Sequence, residues 1–456
     1  MAKTSGRQVE IGIGIETTPG TPVAATDYFK WESFSFQSMA DKVLLNSARG
    51  IRNKTSNSLT IKKYGKGSLE FVPTVDILPY VLGLTLGSRS SGTHSGESAV
   101  YDHTFSVQNA NASMKTATLL VAQGAVQTER YANCVVDKLN LTIDKDFAKC
   151  KIDVLGAFPD TGSLSSSYTL DTLFSRNEMT ATFGTSFSNA LGTFASTTLT
   201  SDATAPADGA TIVIGAVTYT AKTALTGVPY EVLIGGSASV FLDNLKSAIN
   251  DSGTEGTAYG NGTQAHPQVI ATTKTATTLL IKARISGTTP NSIATTQAGT
   301  SHCTWAGATV NSGTPGTGPN PTPLVNFSLD ISNNVQFDDA FLSGANTPVA
   351  GGYIAGPLEI KGSYTLQFAD TTELSKYQSN TNSALVVSLL GALLGTVPTP
   401  ELIQLKLGKL ILTKEPLEYK IDAVTYVKQE FEVQYDATDK EISAIVTNNY
   451  VGTNYQ

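Results

Sequence analysis

Val135-Val136-Asp137-Lys138-Leu139-Asn140-Leu141-Thr142-Ile143-Asp144-Lys145-Asp146-Phe147-Ala148-Lys149-Cys150-Lys151-Ile152-Asp153-Val154 carries two apolar alternations about a short charged turn. Before the turn, Val135, Leu139, Leu141 and Ile143 hold odd positions, with Lys138, Asn140 and Thr142 between them. After it, Ala148, Cys150, Ile152 and Val154 hold even positions, separated by Lys149, Lys151 and Asp153. Side chains alternate between the faces of a strand, so this pattern predicts an antiparallel hairpin with one buried face. With the turn centred near Lys145, Cys150 falls opposite about residue 140, and Cys134, on polar parity, opposite about Gly156. Cysteines so placed are too far apart to bridge. Three cysteines in 456 residues make no disulfide framework, which fits free thiols in a reducing cytoplasm.

The same grammar returns near the end of the chain. Leu405, Leu407, Leu410 and Leu412 precede an expected turn at Lys414-Glu415-Pro416, after which Phe431, Val433 and Tyr435 alternate with Glu430, Glu432, Gln434 and Asp436. Two further segments echo each other. Lys66-Gly67-Ser68-Leu69-Glu70-Phe71 leads into an expected short helix at 74–82. Lys361-Gly362-Ser363-Tyr364-Thr365-Leu366 leads into another at 370–377, where Asp370 and Glu373 have capping-box spacing. Each half thus runs strand, polar loop, Gly-Ser strand, short helix, closing hairpin. The expected architecture is mainly β: a duplicated β-sandwich or barrel with one flanking helix per half, over residues 1–186 and 323–456.

Residues 187–322 differ in texture, with fewer charges and more Thr, Ala and Gly. A strand pair is expected at 211–214 and 217–220 about the Gly215-Ala216 turn. Ser237 is placed to cap a helix carrying Val240, Phe241, Leu242, Leu245, Ala248 and Ile249, and a further strand is expected at 277–281. The Gly/Pro-rich run 312–323 reads as a linker. This middle part is therefore expected to be a small α+β domain inserted into the larger body.

Composition narrows the function. Charged residues make up 15% of the chain, against roughly 25% in average soluble proteins. Lys and Arg number 31 and Asp and Glu 38, a net charge of −7, which argues against a reader of duplex DNA and suits a surface that DNA slides past. The longest apolar run, 384–394, falls short of the ~20 residues of a membrane span. The N-terminal residues lack the apolar core of a secretory signal.

Motifs for chemistry are weak. His94, His103 and His266 have no second ligand at metal spacing, and adjacent His302 and Cys303 point to opposite faces of a strand. Gly12-Ile13-Gly14 is followed by Glu16 and Thr17 where a dinucleotide fingerprint needs a third glycine and a helix, so it reads as an N-terminal strand. Asp144 with Asp146, and Asp338 with Asp339, read as solvated turn acids. No Gly-x-Ser-x-Gly elbow is present. The chain is expected to be no enzyme and to carry no cofactor or metal. Positive charge gathers at Lys42, Arg49, Arg52, Lys54, Lys62, Lys63 and Lys66, around a polar loop at 46–58. That loop is either a solvated hairpin tip or a projection that docks on an acidic neighbour.

The order of several short motifs resembles bacteriophage tail tube proteins (major tail proteins) of the siphophage type. They are Gly14-Ile15-Glu16-Thr17-Thr18-Pro19-Gly20-Thr21-Pro22-Val23, Asn46-Ser47-Ala48-Arg49-Gly50, Gly65-Lys66-Gly67-Ser68-Leu69-Glu70, Gly87-Ser88 and Val100-Tyr101-Asp102-His103-Thr104-Phe105. In the second half Leu329-Asp330-Ile331-Ser332-Asn333-Asn334-Val335 and Gly362-Ser363-Tyr364 continue the series. The inserted Asp208-Gly209-Ala210-Thr211-Ile212-Val213-Ile214-Gly215, with Leu242-Asp243-Asn244-Leu245-Lys246, is similar to a small domain found in phage structural proteins.

The resemblance implies a structural virion protein, assembled in the host cytoplasm. Its rings stack into the viral tail tube through which the genome is ejected, DNA passing without specific binding. Because the tube unit is duplicated, three chains per ring with pseudo-sixfold symmetry are expected rather than six. The insert is expected on the outer wall, and other tail proteins as further partners. Asn46, Arg49, Arg52 and Lys54 are the expected contacts between rings. The rival is an exported carbohydrate-binding adhesin or surface-layer protein, which needs an export signal and an aromatic strip. Trp31 and Trp305, the two tryptophans, fall in different parts of the chain.

Overall fold

The computed structural model describes residues 6–46, 52, 54–94, 98–108, 114–124, 126–168, 172–337, 353–367, 372–394, 399–414, 417–418, 426–437, 440–451 and 455. The chain is mainly β and its sheets are largely antiparallel. Thr128–Ile143 and Lys149–Gly156 form the expected hairpin, with Leu139, Leu141, Ile143, Cys150, Ile152 and Val154 all buried. Cys150 faces Leu141, one residue from the expected position. Parity fails for Cys134, which is buried. A bulge at Asp153/Val154 shifts the register, and Asn133 is left-handed (φ 55°), so the alternation does not carry through to the start of the strand. Cys134, Cys150 and Cys303 are free and buried, and burial pushes all three thiols up.

From this hairpin a ladder extends both ways. On one side Lys149–Gly156 pairs with Thr55–Phe71, which pairs with Trp31–Phe34 and Gln37–Asn46. On the other side Thr128–Ile143 pairs with Leu324–Ser332, which pairs in turn with Glu359–Gln367, Tyr426–Val433 and the end of Pro400–Leu412. One order is met twice along the ladder: outer strand, Gly-Ser strand, second hairpin strand, first hairpin strand. Details repeat with it. Ser35 and Ser68 hydroxyls lie 2.9 Å apart, and so do Ser328 and Ser363. A Cβ on Gly67 would meet the backbone of Phe36, and one on Gly362 the carbonyl of Ser328. These glycines thus let the outer strand lie close over the Gly-Ser strand.

Of the turn expected at Lys414-Glu415-Pro416, Glu415 and Pro416 lie outside the described residues, but the flanking strands stay paired past it. Leu410 pairs with Val433 and Leu412 with Phe431, yet Leu417–Glu418 still pairs with Val427 and Tyr426. The pairing of the two strands therefore continues at least to Glu418. Register slips by one residue between these pairings, as it does between Val136↔Val154 and Lys138↔Asp153.

Helices lie a few residues later than expected. The first is Leu78–Leu86, with Pro79 at its start and Leu78, Val81 and Leu82 buried. Pro79 suits the first turn, where its missing N–H is not needed. The second is Thr372–Ser379; the capping pair involving Asp370 lies outside the described residues. A second core draws only on residues 195–310. It includes the pair Thr211–Ile214 and Val217–Lys222 and the helix Ala238–Asn250, whose Val240 N–H donates to the Ser237 hydroxyl at 3.3 Å. Val240 itself is exposed. The strand expected at 277–281 is Thr278–Ser286.

The Gly/Pro-rich run is not a free tether. Thr193 N–H donates to the Thr317 carbonyl at 2.8 Å, the two threonine hydroxyls are 2.8 Å apart, and Asn291 exchanges bonds with Gly316. Helix Phe187–Leu191 packs through Ala190 on Ala384 and Val386 of the body.

Two buried polar groups stand out. Glu16 is buried after the strand Val9–Ile15. One carboxylate oxygen accepts from Gly20 N–H and the Thr116 hydroxyl, the other from the Thr118 hydroxyl and Asn133 N–H, all at 2.8 Å. Gln429 is fully buried, and both its amide atoms lack partners among the described residues. It faces Tyr364 as Ile152 faces Leu69. An unsatisfied buried polar group costs about 1–3 kcal/mol. Gln429→Ile is accordingly expected to stabilise the protein by about 1–3 kcal/mol, read as a higher urea midpoint. A lower midpoint would show that the amide has a partner in solution.

Candidate assembly interface

Gln37–Asn46 and the first part of Thr55–Phe71 form a long two-stranded arm. The polar loop is shorter than expected, because the second strand already begins at Thr55. Asn46 ends the first strand, pairs with Thr55 and accepts its hydroxyl at 3.3 Å. Arg52 and Lys54 are exposed in the connection; Arg49 lies outside the described residues. Asn46, Arg52 and Lys54 thus share one end of the arm. Lys62 and Lys63 lie over the rings of Tyr64 and Phe158, at 5.7 and 5.0 Å from the centroids, so neither ammonium is simply projected outward.

The arm is apolar where charge was expected to matter. Val43 and Leu59 face each other across the pair and Leu45 lies two residues further on, on the same face. Val43, Leu44, Leu45, Leu59 and Ile61 are all exposed, Leu59 by 69%. A contiguous exposed apolar patch marks an interaction surface. The signal was present as Val43-Leu44-Leu45, three successive apolar residues that break strand alternation inside a polar segment.

The second feature is a pair of open sheet edges. Among the described residues, the outer edge of Trp31–Phe34 and Gln37–Asn46 pairs with no strand, and neither does the corresponding edge at Leu412 and Leu417–Glu418, past the last pairing with Ser383–Leu393 at Ser383↔Leu410. In the middle of the ladder the equivalent junction is filled. There Phe327↔Ile143, Leu329↔Leu141 and Ile331↔Leu139 pair, and Asn333 N–H donates to the Asp137 carbonyl at 2.8 Å. Unpaired edges are templates for another chain unless they are covered.

The solvent face of the ladder interleaves charge. Lys138, Lys151, Asp153, Asp330 and Glu359 line one shallow groove, and Lys361, Glu430 and Glu432 continue it on neighbouring strands. Among the described residues, no three His, Cys, Asp or Glu side chains are grouped to hold a metal ion. His94 and His302 bond to Asp102 and Asp202 at 2.8 and 2.9 Å. His103 is buried between the Ser91 hydroxyl and the Asn448 side chain, and burial pushes its pKa down. No family model matches the sequence, and no curated protein matches it either.

Proposed function

We propose that the chain is a tail tube protein of a bacteriophage: a structural, non-enzymatic component of the virion whose copies close into rings and whose rings stack into the conduit for DNA. Its body is two copies of one unit, the first within residues 1–186 and the second within 323–456, joined edge to edge. The observation that carries this reading is the filled junction between Thr128–Ile143 and Leu324–Ser332, together with open edges at the two ends of the same ladder. The second unit's open edge fits the first unit's outer strand on the next copy. Matching Ser35 to Ser328 and Leu417 to Leu141 gives the register: Phe36 opposite Leu417, and Ala40 opposite Thr413. Ala40 N–H then donates to Thr413 as Asn333 donates to Asp137.

A head-to-tail contact of this kind closes into a ring when its rotation divides the circle. Two units per chain favour three chains, with pseudo-sixfold symmetry. The polar ladder face becomes the lumen wall, where interleaved Lys, Asp and Glu offer no continuous basic stripe to hold phosphates. The apolar arm bridges to the next ring, flanked by Asn46, Arg49, Arg52 and Lys54, and residues 187–322 decorate the outside.

Electron microscopy of the purified protein tests this. Rings or tubes with three chains per ring are the expected result. True sixfold symmetry would remove the three-chain ring, and particles with no axial hole at any concentration, even with a tail-tip complex present, would remove the tube. The arm is tested separately by Val43→Asp with Leu59→Asp. Burying each apolar side chain is worth about 1.5–3 kcal/mol, so rings are expected to persist while stacked tubes become at least about tenfold rarer. Because both side chains are exposed, monomer stability should change by no more than about 0.5 kcal/mol.

A further inference from the structure

A cavity of about 530 Å³ opens between the turn after Val9–Ile15, the helix Leu78–Leu86 and the start of the strand Gly87–Thr93. Arg89, Lys115, Gln108, Tyr80, Tyr455 and Glu16 are among the residues lining it. Its charge is unbalanced. Arg89 Nη1 is buried and has no hydrogen-bond partner among the described residues. Burial pulls the guanidinium's pKa down, against the phenols of Tyr455 and Tyr80, and the His103 imidazole is also near enough to feel its charge. Among the described lining residues Glu16 is the carboxylate, and it does not serve Arg89, because its two oxygens already take four donors from Gly20, Thr116, Thr118 and Asn133. Lys115 adds a second, exposed cation at the rim.

A planar guanidinium with a buried, unused N–H is suited to bidentate capture of an oxyanion. Leaving such a group unpaired costs stability, and that cost is offset only when a partner arrives. We propose that this cavity is an oxyanion-binding site, in which Arg89 holds a carboxylate or phosphate group, Lys115 adds long-range attraction, and the Tyr80 and Tyr455 rings flank whatever body carries the charge. The cavity is larger than a bare ion, so it has room for an acidic side chain or a phosphorylated small molecule. The site stands whether or not the chain forms rings, since all its walls come from one copy.

The test is calorimetric titration of the full-length protein, held as monomer, with inorganic phosphate and with glutarate, against chloride at constant ionic strength. Saturable binding of at least one probe is expected, weakened about tenfold or more by Arg89→Gln and severalfold by Lys115→Gln. Tighter phosphate binding identifies a phosphate ligand; tighter glutarate binding identifies an acidic side chain. Arg89→Met should be no less stable than the parent without ligand, because it removes a half-buried guanidinium whose buried Nη1 makes no hydrogen bond among the described residues. No saturable binding of either probe overturns the proposal, as does binding that neither Arg89→Gln nor Lys115→Gln weakens. If Arg89→Gln fails to fold, Lys115→Gln, at an exposed position, still decides.

Discussion

Replacing Ala40 with proline is expected to abolish ring formation while leaving the monomer folded. Ser35 N–H donates to the Ser68 carbonyl at 2.9 Å. Antiparallel pairing alternates, so along Gln37–Asn46 the amide of Ala40 points away from Thr55–Phe71 and toward the open edge. Ala40 is exposed, and proline is tolerated on an edge whose N–H has no ladder partner. In a ring that N–H is the one matched to Asn333 at the filled internal junction. Its loss removes about 1 kcal/mol at each junction. Around a three-chain ring this lowers the closure constant about a hundredfold, before the clash of the pyrrolidine ring is added. Sedimentation and microscopy should find monomers with an unchanged urea midpoint. Ala40→Val, which keeps the N–H, should still close. Normal rings from Ala40→Pro would mean that copies join through another edge.

Glu16→Ala is expected to be the most destabilising single change in the body, at about 3–5 kcal/mol. Hydrogen bonds to a charged group contribute about 1.5–3 kcal/mol each, and four that share one carboxylate do not add independently. The substitution also strands donors from three separate segments: the turn at Gly20, the threonines at 116 and 118, and the left-handed Asn133. Glu16→Gln should fare little better. Each oxygen accepts two donors, so whichever side the new NH₂ occupies, it faces donors. The measurement is urea unfolding followed by Trp31 emission in a Trp305→Phe background, because Trp31 reports the body and Trp305 the second core. A loss below about 1 kcal/mol, the worth of a single ordinary hydrogen bond, would remove Glu16 as the staple of this region.

The sequence revealed features encoded locally. Alternation about Asp144-Lys145-Asp146 gave the central hairpin, and Ser237 with Phe241, Leu242 and Leu245 gave the inserted helix. Features set by distant partners were hidden. Glu16 appears only as a residue that spoils a glycine motif, because three of its four partners lie a hundred or more positions away. Cys134 has polar parity but is buried, since a bulge and a left-handed residue precede the regular part of its strand. The pairing of Leu417–Glu418 with Tyr426 and Val427 was hidden because composition does not report register. At the arm, the basic residues Arg49, Arg52 and Lys54 dominate the linear pattern, while Val43-Leu44-Leu45, the neighbouring stretch that the fold leaves bare, carries no motif. The imbalance around Arg89 needs the assembled cavity and has no linear signature.

The stitching of Thr193 to Thr317 means that the chain leaves the body and comes back to it at adjacent points. A segment whose two ends meet costs its host little loop entropy, however long it is. The body can therefore exchange residues 194–316 for a tight turn or an unrelated domain with closely spaced termini. Such a replacement would be repeated at regular intervals along any polymer that the body forms. In any such polymer the contacts made by the body and the surface carried by the insert would belong to separate parts of the chain, so the two could diverge at different rates.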